Sequence, residues 1–196
     1  MLCGIILAAG DSSRMAQPKA LLAYRGKTFL ETVCDTMRSA GIYDITVVLG
    51  RHEEAILAQW KHNCERIVTN PNPSDGQLSS LNAALSALPP YAKSVMLALV
   101  DQPTVSSSTY SQLVKKSKAN PDAIIIPKFN GKRGHPIVLP AKARPLCHIA
   151  PLDKGLHWVT HHPDLTTLDL EVTDSGVLRD IDTPAEYALL SGGAGK

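Results

Sequence analysis

Short apolar segments rich in β-branched residues alternate with helical patterns through the first 127 residues of this chain. The apolar segments are residues 3–7, 44–49, 66–68, 95–100 and 123–127. Strands that alternate with helices are typical of a parallel α/β sheet. The segment 95–100 is apolar without interruption, which favours a central strand buried on both faces. The alternation therefore predicts an α/β fold with a mostly parallel central sheet.

The helical segments carry recognisable start signals. Two pairs have the spacing of a capping box, Thr28 with Glu31 and Thr183 with Glu186. In such a box each side chain binds the backbone N–H of the other residue. Helices are also predicted over 53–60, over 106–119 and near 154–162, and Ser79 or Ser80 is expected to cap the helix that precedes Pro89. A last strand is predicted over 177–182.

The first predicted strand runs into a loop of small residues. Ala8, Ala9 and Gly10 leave the backbone bare, so that successive N–H groups can turn towards an anion. Arg14 and Lys19 add two positive charges suited to phosphate oxygens. The spacing is that of neither a P-loop nor a dinucleotide fingerprint. The loop therefore predicts a phosphate site of another design, although a turn with two solvated cations would also fit these residues.

Acidic residues follow two later predicted strands. Asp101 ends the most buried one, and Asp182 ends the last, with Asp180 as a reserve candidate. Two carboxylates can hold one Mg²⁺, which binds one or two protein carboxylates together with substrate phosphate oxygens. With the loop, these acids predict Mg²⁺-dependent nucleotidyl transfer. Structural roles are also open, because Asp101 can cap a turn before Pro103 and Asp182 can favour the positive end of the next helix.

Composition excludes several classes of protein. The chain has 196 residues, 44% of them hydrophobic, and a formal net charge of +2. Its basic residues are scattered, so we expect neither a nucleic acid nor a membrane as partner. The four cysteines form no CxxC pair, which argues against a zinc site or a disulfide framework. We expect a cytoplasmic protein with reduced thiols.

The chain is predicted to be a single domain over residues 1–191. Turn-rich sequence after residue 127 predicts an insertion that covers the site. The predicted parts are a nucleotide-binding part over 1–127, an acceptor-side part over about 128–180, a C-terminal helix over about 184–190 and a disordered tail over 192–196.

Six blocks of sequence, in order, resemble the MobA-like nucleotidyltransferases, and in particular their molybdenum cofactor cytidylyltransferase branch. The blocks are Leu7-Ala8-Ala9-Gly10-x-Ser12-x-Arg14-Met15-x3-Lys19, Asn70-Pro71…Gly76-x3-Ser80-Leu81, Asp101-Gln102-Pro103, Arg133-Gly134-His135-Pro136, Asp153-Lys154-Gly155 and Asp180-Ile181-Asp182-Thr183-Pro184. The resemblance implies a three-layer Rossmann-like fold of the GT-A type, Mg²⁺ dependence, and transfer of a nucleoside monophosphate to a phosphate monoester.

In that branch the resemblance implies CTP as donor and the terminal phosphate of molybdopterin, or of the molybdenum cofactor, as acceptor. The product, a cytosine dinucleotide cofactor, would pass to a molybdenum hydroxylase or its chaperone. Members with Leu-Ala-Ala-Gly tend to use CTP and those with Leu-Ala-Gly-Gly tend to use GTP. We hypothesise that the methyl group of Ala9 narrows the space beside the base.

The resemblance also assigns roles to individual residues. It implies nucleotide binding for Leu7, Ala8, Ala9, Gly10, Arg14, Lys19, Gly76, Gln77, Ser80 and Asp101. It implies catalytic roles for Arg14, Lys19 and Asp101, metal binding for Asp101 and Asp182, and acceptor binding for Arg133, Gly134 and His135.

Two other functions remain open at this point. One is cytidylyl or guanylyl transfer to another small phosphate monoester, such as a sugar or alcohol phosphate. The other is a non-catalytic carrier that binds a nucleotide or cofactor and hands it on. The presence of both Asp101 and Asp182 argues against the carrier, since binding alone would tolerate the loss of metal-binding acids.

Overall fold

The computed structural model describes residues 1–12, 14–15, 17–61 and 64–192. Its strands are β1 (Leu2–Leu7), β2 (Ala23–Tyr24), β3 (Lys27–Thr28), β4 (Ile45–Leu49), β5 (Arg66–Thr69), β6 (Ser94–Leu99), β7 (Ala123–Phe129), β8 (Lys132–Arg133), β9 (Ile137–Pro140) and β10 (Thr166–Glu171). Its α-helices are α1 (Phe29–Ser39), α2 (Glu53–Gln59), α3 (Gln77–Ala87), α4 (Ser107–Ala119), α5 (Ala143–Ile149), α6 (Gly155–Thr160) and α7 (Pro184–Gly192). Each apolar segment of the sequence forms a strand, as predicted.

Eight of the described strands form one sheet, in the order β10-β7-β9-β6-β1-β4-β5, with β8 paired to β7. Strand β1 lies in the middle and runs parallel to both of its neighbours, β4 and β6. The pairs β4–β5 and β7–β10 are also parallel, whereas β9 is antiparallel to β6 and β7. The prediction of a mostly parallel central sheet is confirmed.

Helices cover both faces of the sheet, which gives the three-layer arrangement. Successive side chains of a strand point to opposite faces. Accordingly, Ile6 and Ala8 belong to one hydrophobic core, which includes residues of α1 and α4. Ile5 and Leu7 belong to a second core, which includes residues of α3, α5 and α6.

Part of the region 128–180 belongs to the central sheet. Strand β9 lies inside the sheet between β6 and β7, and residues Ile137, Val138 and Leu139 are buried. The expectation of an insertion over the site is therefore wrong for this segment. Residues 137–140 pair with β6, and Leu97 lies opposite Ile137. An uninterrupted apolar strand is buried most completely inside a sheet that helices cover on both faces.

The structure confirms the helix starts at both predicted capping boxes. Thr28 accepts a hydrogen bond from the amide of Glu31, whose carboxylate accepts one from the amide of Thr28 at 2.7 Å. Glu186 similarly accepts from the amide of Thr183 at 2.8 Å. Helix α7 extends to Gly192, two residues beyond the predicted end. The rest of the predicted disordered tail, residues 193–196, lies outside the described residues.

The predicted cap of α3 is wrong. The helix begins after Gly76, which has a φ of 90° and provides no side-chain cap. Ser79 donates its hydroxyl to the carbonyl of Gly76 at 2.9 Å, and Ser80 accepts from Asn70 at 2.9 Å. Both serines therefore bind the preceding loop instead of the first free amides of the helix.

The predicted strand over 177–182 is also wrong. Residues Ser175–Leu178 form a short 3-10 helix, which starts where the carboxylate of Asp174 accepts from the amide of Gly176 at 2.9 Å. The chain that follows makes one backbone hydrogen bond to the end of β6, from the amide of Ile181 to the carbonyl of Asp101 at 2.9 Å. The apolar pattern that suggested a strand reflects two buried anchors, Val177 and Ile181.

Within the described residues, no helix combines the length and the apolar character that a membrane crossing requires.

The capping box of α1 gives a stability prediction. The substitution Thr28→Ala removes the side-chain acceptor for the amide of Glu31. We expect the free energy of unfolding to fall by about 1 kcal/mol, the usual cost of losing such a cap. Urea denaturation followed by circular dichroism measures this change. Thr173→Ala, at an exposed loop position, is the matched control and should leave the midpoint unchanged.

Candidate active site

A cavity of about 330 Å³ opens at the carboxyl ends of β1 and β6. The strands pair in register, Leu7 opposite Leu99, so the loop after β1 lies next to the residues that follow β6. Ligands of open α/β sheets bind at such strand ends. The cavity is lined by every residue assigned above to the nucleotide or to the metal: Leu7, Ala8, Ala9, Gly10, Arg14, Lys19, Gly76, Gln77, Ser80, Asp101 and Asp182.

Contacts with neighbouring segments hold the loop after β1. The hydroxyl of Ser12 accepts a hydrogen bond from the amide of Lys19 at 3.1 Å. His52, at the start of α2, places its Nε2 atom 2.9 Å from the carbonyl of Asp11, to which it must donate, since a carbonyl only accepts. A Cβ atom at Gly50 would lie 2.7 Å from the carbonyl of Ala9, so only glycine allows this approach. The loop is therefore braced by the turn between β4 and α2.

Lys19 joins the two predicted metal-binding acids. Its Nζ atom lies 2.9 Å from Oδ2 of Asp101 and also donates to Oδ1 of Asp182. Burial by itself would lower the pKa of Lys19, but the hydrogen bonds and charges of Asp182 and Asp101 outweigh it and raise that pKa above its ordinary value. The ammonium group therefore stays charged at neutral pH, and both carboxylates face it.

Asp101 is the most desolvated of these acids. Burial raises its pKa above the ordinary value, the charge of Lys19 opposes that rise, and the nearby charges of Asp180 and Asp182 add to it. A cation that binds next to Asp101 would therefore stabilise its charged form. The electrostatics thus favour binding of a positively charged group between Asp101 and Asp182.

The carboxylates of Asp101 and Asp182 fit a divalent cation. Hard cations such as Mg²⁺ take oxygen ligands and commonly use one or two protein carboxylates. Among the described residues no group of three or more His, Cys, Asp or Glu side chains could hold a metal. Substrate phosphate oxygens and water would therefore supply the remaining ligands of a metal held by these two acids.

The structure distinguishes Asp182 from the reserve candidate Asp180. The carboxylate of Asp182 contacts Lys19, together with Asp101. The carboxylate of Asp180 instead accepts a hydrogen bond from Nε2 of Gln102 at 2.7 Å. Asp182 is therefore the better placed partner of Asp101 for a shared cation.

The three residues assigned to the acceptor do not line this cavity. Arg133 donates to the carboxylate of Asp169 at 2.7 Å, on the outer strand β10. Gly134 packs against Val177, and a Cβ atom there would lie 2.0 Å from the carbonyl oxygen of Val177. The amide of His135 donates to the same carbonyl at 3.0 Å. Gly134 and His135 thus hold the segment that leads to Asp182.

His135 lies close enough to Asp101 to feel its charge. Burial lowers the pKa of the imidazole to about 4, and the negative charge of Asp101 only partly opposes this. The side chain is therefore neutral at pH 7.

Sequence reasoning missed three polar residues around the cavity. His52 lines the cavity and holds the loop after β1. Asn70 is buried and donates to the hydroxyl groups of Ser79 and Ser80 at 2.8 and 2.9 Å. Gln102 is buried beside Asp180. Asn70 and Gln102 each precede a proline and belong to blocks of the family resemblance, but neither was assigned a role in the site.

Comparison with known proteins adds independent information. Residues 4–165 match the family described as the MobA-like NTP transferase domain. Nicotine blue oxidoreductase from Paenarthrobacter nicotinovorans is 34% identical over 95% of each chain. Molybdenum cofactor cytidylyltransferase from Escherichia coli K12 is 27% identical over 93% of this chain and 92% of its own.

A solved structure agrees over nearly the whole chain. The crystal structure of Rv0371c from Mycobacterium tuberculosis H37Rv superposes with a TM-score of 0.86, at 29% identity and 96% coverage of each chain. Rv0371c in complex with manganese superposes with a TM-score of 0.82.

The contact between Gly134 and Val177 gives a second prediction. In Gly134→Ala the new Cβ atom would clash with a backbone carbonyl, so the main chain must shift. We expect the free energy of unfolding to fall by about 1–3 kcal/mol, as for other overpacked sites. Gly10→Ala is the control, since a Cβ atom there meets nothing within 4 Å. Equal midpoints of thermal unfolding for the two variants would contradict this account of Gly134.

Proposed function

The chain belongs to the family of MobA-like NTP transferase domains and is a nucleotidyltransferase, and on that premise we propose a specific reaction for it. The protein transfers CMP from CTP to the terminal phosphate of molybdopterin or the molybdenum cofactor, with Mg²⁺, in the cytoplasm. Pyrophosphate leaves, and the cytosine dinucleotide cofactor passes to a molybdenum hydroxylase or its chaperone. The proposal depends on one observation: Lys19 contacts both Asp101 and Asp182 in the cavity at the carboxyl ends of β1 and β6.

The residues divide the work of binding a triphosphate. The small residues Ala8, Ala9 and Gly10 present bare backbone, and Arg14 and Lys19 supply positive charge on the same cavity. Asp101 and Asp182 would hold Mg²⁺, which when bound would neutralise phosphate charge and orient the reacting phosphoryl group. Lys19, released from the two carboxylates, then turns its ammonium group to the triphosphate.

Bond making and breaking require little from the side chains. An oxygen of the acceptor phosphate attacks the α-phosphorus of CTP in line, and the bond to the bridging oxygen of pyrophosphate breaks. The acceptor phosphate is already ionised near pH 7, so no side chain has to remove a proton. The neutral imidazole of His135 is consistent with this, because it adds no charge beside Asp101. The chain's contribution is position and charge.

We assign the acceptor to the region 128–180, which precedes Asp182 in the chain but does not itself line the cavity. Gly134 and His135 serve it by holding Val177, and hence the path to Asp182. Arg133 points to Asp169, so a role for its guanidinium at the acceptor requires exchange of that ion pair. Residues 1–127 would then bind the nucleotide, and residues 128–180 the acceptor.

The reaction is tested by pyrophosphate release. Purified protein is incubated with Mg²⁺, molybdenum cofactor and, in turn, CTP, GTP, ATP and UTP. We expect release with CTP, and a loss of at least about 100-fold in Asp101→Asn, because the variant lacks a carboxylate that would hold the Mg²⁺ that stabilises the transition state. Asp122→Asn, at an exposed position, is the matched control and should retain full activity. Release with CTP when a sugar or alcohol phosphate replaces the molybdenum cofactor would reassign the acceptor.

The choice of base has its own test. Ala9 lines the cavity and belongs to the same hydrophobic core as Leu78 and Leu81 of α3. Gly76, Gln77 and Ser80 line the same cavity, and we assign them to the base of the nucleotide. Removing its methyl group in Ala9→Gly should make room for a purine. We expect the ratio of kcat/KM for CTP to that for GTP to fall by about tenfold, since one methyl group contributes about 1–3 kcal/mol of discrimination. An unchanged ratio would remove Ala9 as the determinant.

A second candidate function is an oxidoreductase, favoured by the 34% identity with nicotine blue oxidoreductase over 95% of both chains. The two functions differ in their dependence on the metal. Nucleotidyl transfer should stop with EDTA and in Asp101→Asn. Dye reduction by a reduced nicotinamide cofactor that withstands both treatments, without any pyrophosphate release, would favour the oxidoreductase.

A further inference from the structure

We infer that Gln102 is a positioning residue, which holds Asp182 at the divalent-cation site through a hydrogen bond to Asp180. The inference rests on the proposed function, since it concerns the metal that this function requires. It gives Gln102 a role distinct from that of its neighbour Asp101, which contacts Lys19 directly.

The side chain of Gln102 crosses from the end of β6 to the segment before α7. It is only 5% exposed. Its Nε2 atom donates to Oδ1 of Asp180 at 2.7 Å and, at 3.4 Å, to the carbonyl of Val177. One amide group thus binds two points on the segment 177–182. Two hydrogen bonds restrict both the position and the orientation of that segment relative to β6.

The segment depends on contacts of this kind because it is not a strand. A strand would be held by a ladder of backbone hydrogen bonds, whereas this segment has one to the end of β6, between Ile181 and Asp101. Glu186 fixes the far side of Asp182, accepting from its amide at 2.8 Å. Gln102 fixes the near side, at Asp180. The backbone of Asp182 is thus held at its own amide by Glu186 and, two residues earlier, through Asp180 by Gln102.

A neutral donor suits the position. The carboxylates of Asp101 and Asp182 already meet at Lys19, and that of Asp180 contacts Gln102 itself. A carboxylate in place of the amide would add negative charge to a site that repels it, and an ammonium group would compete with Lys19 for the acids. Gln102 donates without a charge of its own. Its Oε1 atom is buried and has no hydrogen-bond partner among the described residues, so the donor side of the amide accounts for the contacts observed.

The first experiment measures binding of Mn²⁺ alone, by electron paramagnetic resonance, to the full-length protein. Gln102→Met keeps the length of the side chain and removes the donor. We expect Mn²⁺ affinity to fall by about tenfold, within the range for groups that orient metal ligands. Gln112→Met is the matched control. Gln112 is exposed on α4 and donates to the hydroxyl of Ser108 in the same helix at 3.2 Å, so this variant should bind Mn²⁺ as the wild type does.

Two substitutions at Asp180 separate positioning from direct ligation. Asp180→Ala removes the acceptor and should weaken Mn²⁺ as Gln102→Met does. Asp180→Asn keeps an Oδ1 acceptor for Gln102, so its affinity should stay within about twofold of wild type. If Asp180→Asn loses as much affinity as Asp180→Ala, Asp180 is itself a ligand and the inference is overturned. Because Asp180 is exposed, both variants should fold, and their thermal midpoints check this.

The double variant Gln102→Met with Asp180→Ala completes the cycle. If Gln102 acts through Asp180, the double variant should lose no more Mn²⁺ affinity than either single variant. Additive losses would overturn the inference.

Turnover separates this inference from the proposed function. With CTP and the acceptor, Gln102→Met should need more Mg²⁺ for half-maximal rate, while its rate at saturating Mg²⁺ returns to within a few-fold of wild type. Wild-type turnover together with unchanged metal dependence in Gln102→Met would overturn the positioning role and leave the proposed function standing. Absence of both Mn²⁺ binding and turnover in the wild type would overturn both.

Discussion

The parallel pairing of β1 with β4 and β6 is the constraint on which the site depends. In a parallel pair the carboxyl ends of both strands reach the same edge of the sheet. The loop after β1, the turn at Gly50 and the acid at Asp101 therefore meet there, although they are separated along the chain. Continuous burial of these strands keeps the register, since Ile5, Ile6, Val47 and Val48 are inaccessible to solvent. Displacing β1 would separate every part of the cavity.

Ion pairs between charged side chains connect the segments that strand pairing brings together. Lys19 comes from the loop after β1, Asp101 from the end of β6, and Asp182 from the segment before α7, and all three meet in one cluster. An ammonium group between two carboxylates marks a point of negative potential that any cation would favour. In the proposed reaction the two carboxylates would hold a metal, and Lys19 would exchange them for phosphate oxygens of the triphosphate. Binding of the nucleotide and binding of the metal would then be linked.

Side chains, and not a strand ladder, place the last part of the site. Val177 and Ile181 anchor the segment in the core, Gln102 and Glu186 bind it from either side of Asp182, and the backbone at Gly134 passes close beneath Val177. Gln102 and Gly134 therefore both contact the segment that leads to Asp182, although both are far from that segment in the sequence. Gly134 and His135, which the resemblance assigned to the acceptor, contact the backbone carbonyl of Val177.

The sequence by itself determined the strands of residues 1–127, the mostly parallel sheet and both capping boxes, whereas the resemblance to a known family implied most of the residues that line the cavity. Local periodicity and hydrogen-bonding patterns carry that information, and a carboxylate after a buried strand must emerge at the sheet edge. Only the tertiary structure decided that β9 enters the sheet, that residues 177–182 are held without a ladder, and that Asp182 rather than Asp180 faces Lys19. These depend on partners far away in the chain: Leu97 for Ile137, Asp101 for Ile181, and Gln102 for Asp180. Local sequence patterns do not contain this information, because the residues next to a given position in the sequence do not determine which distant residue it contacts.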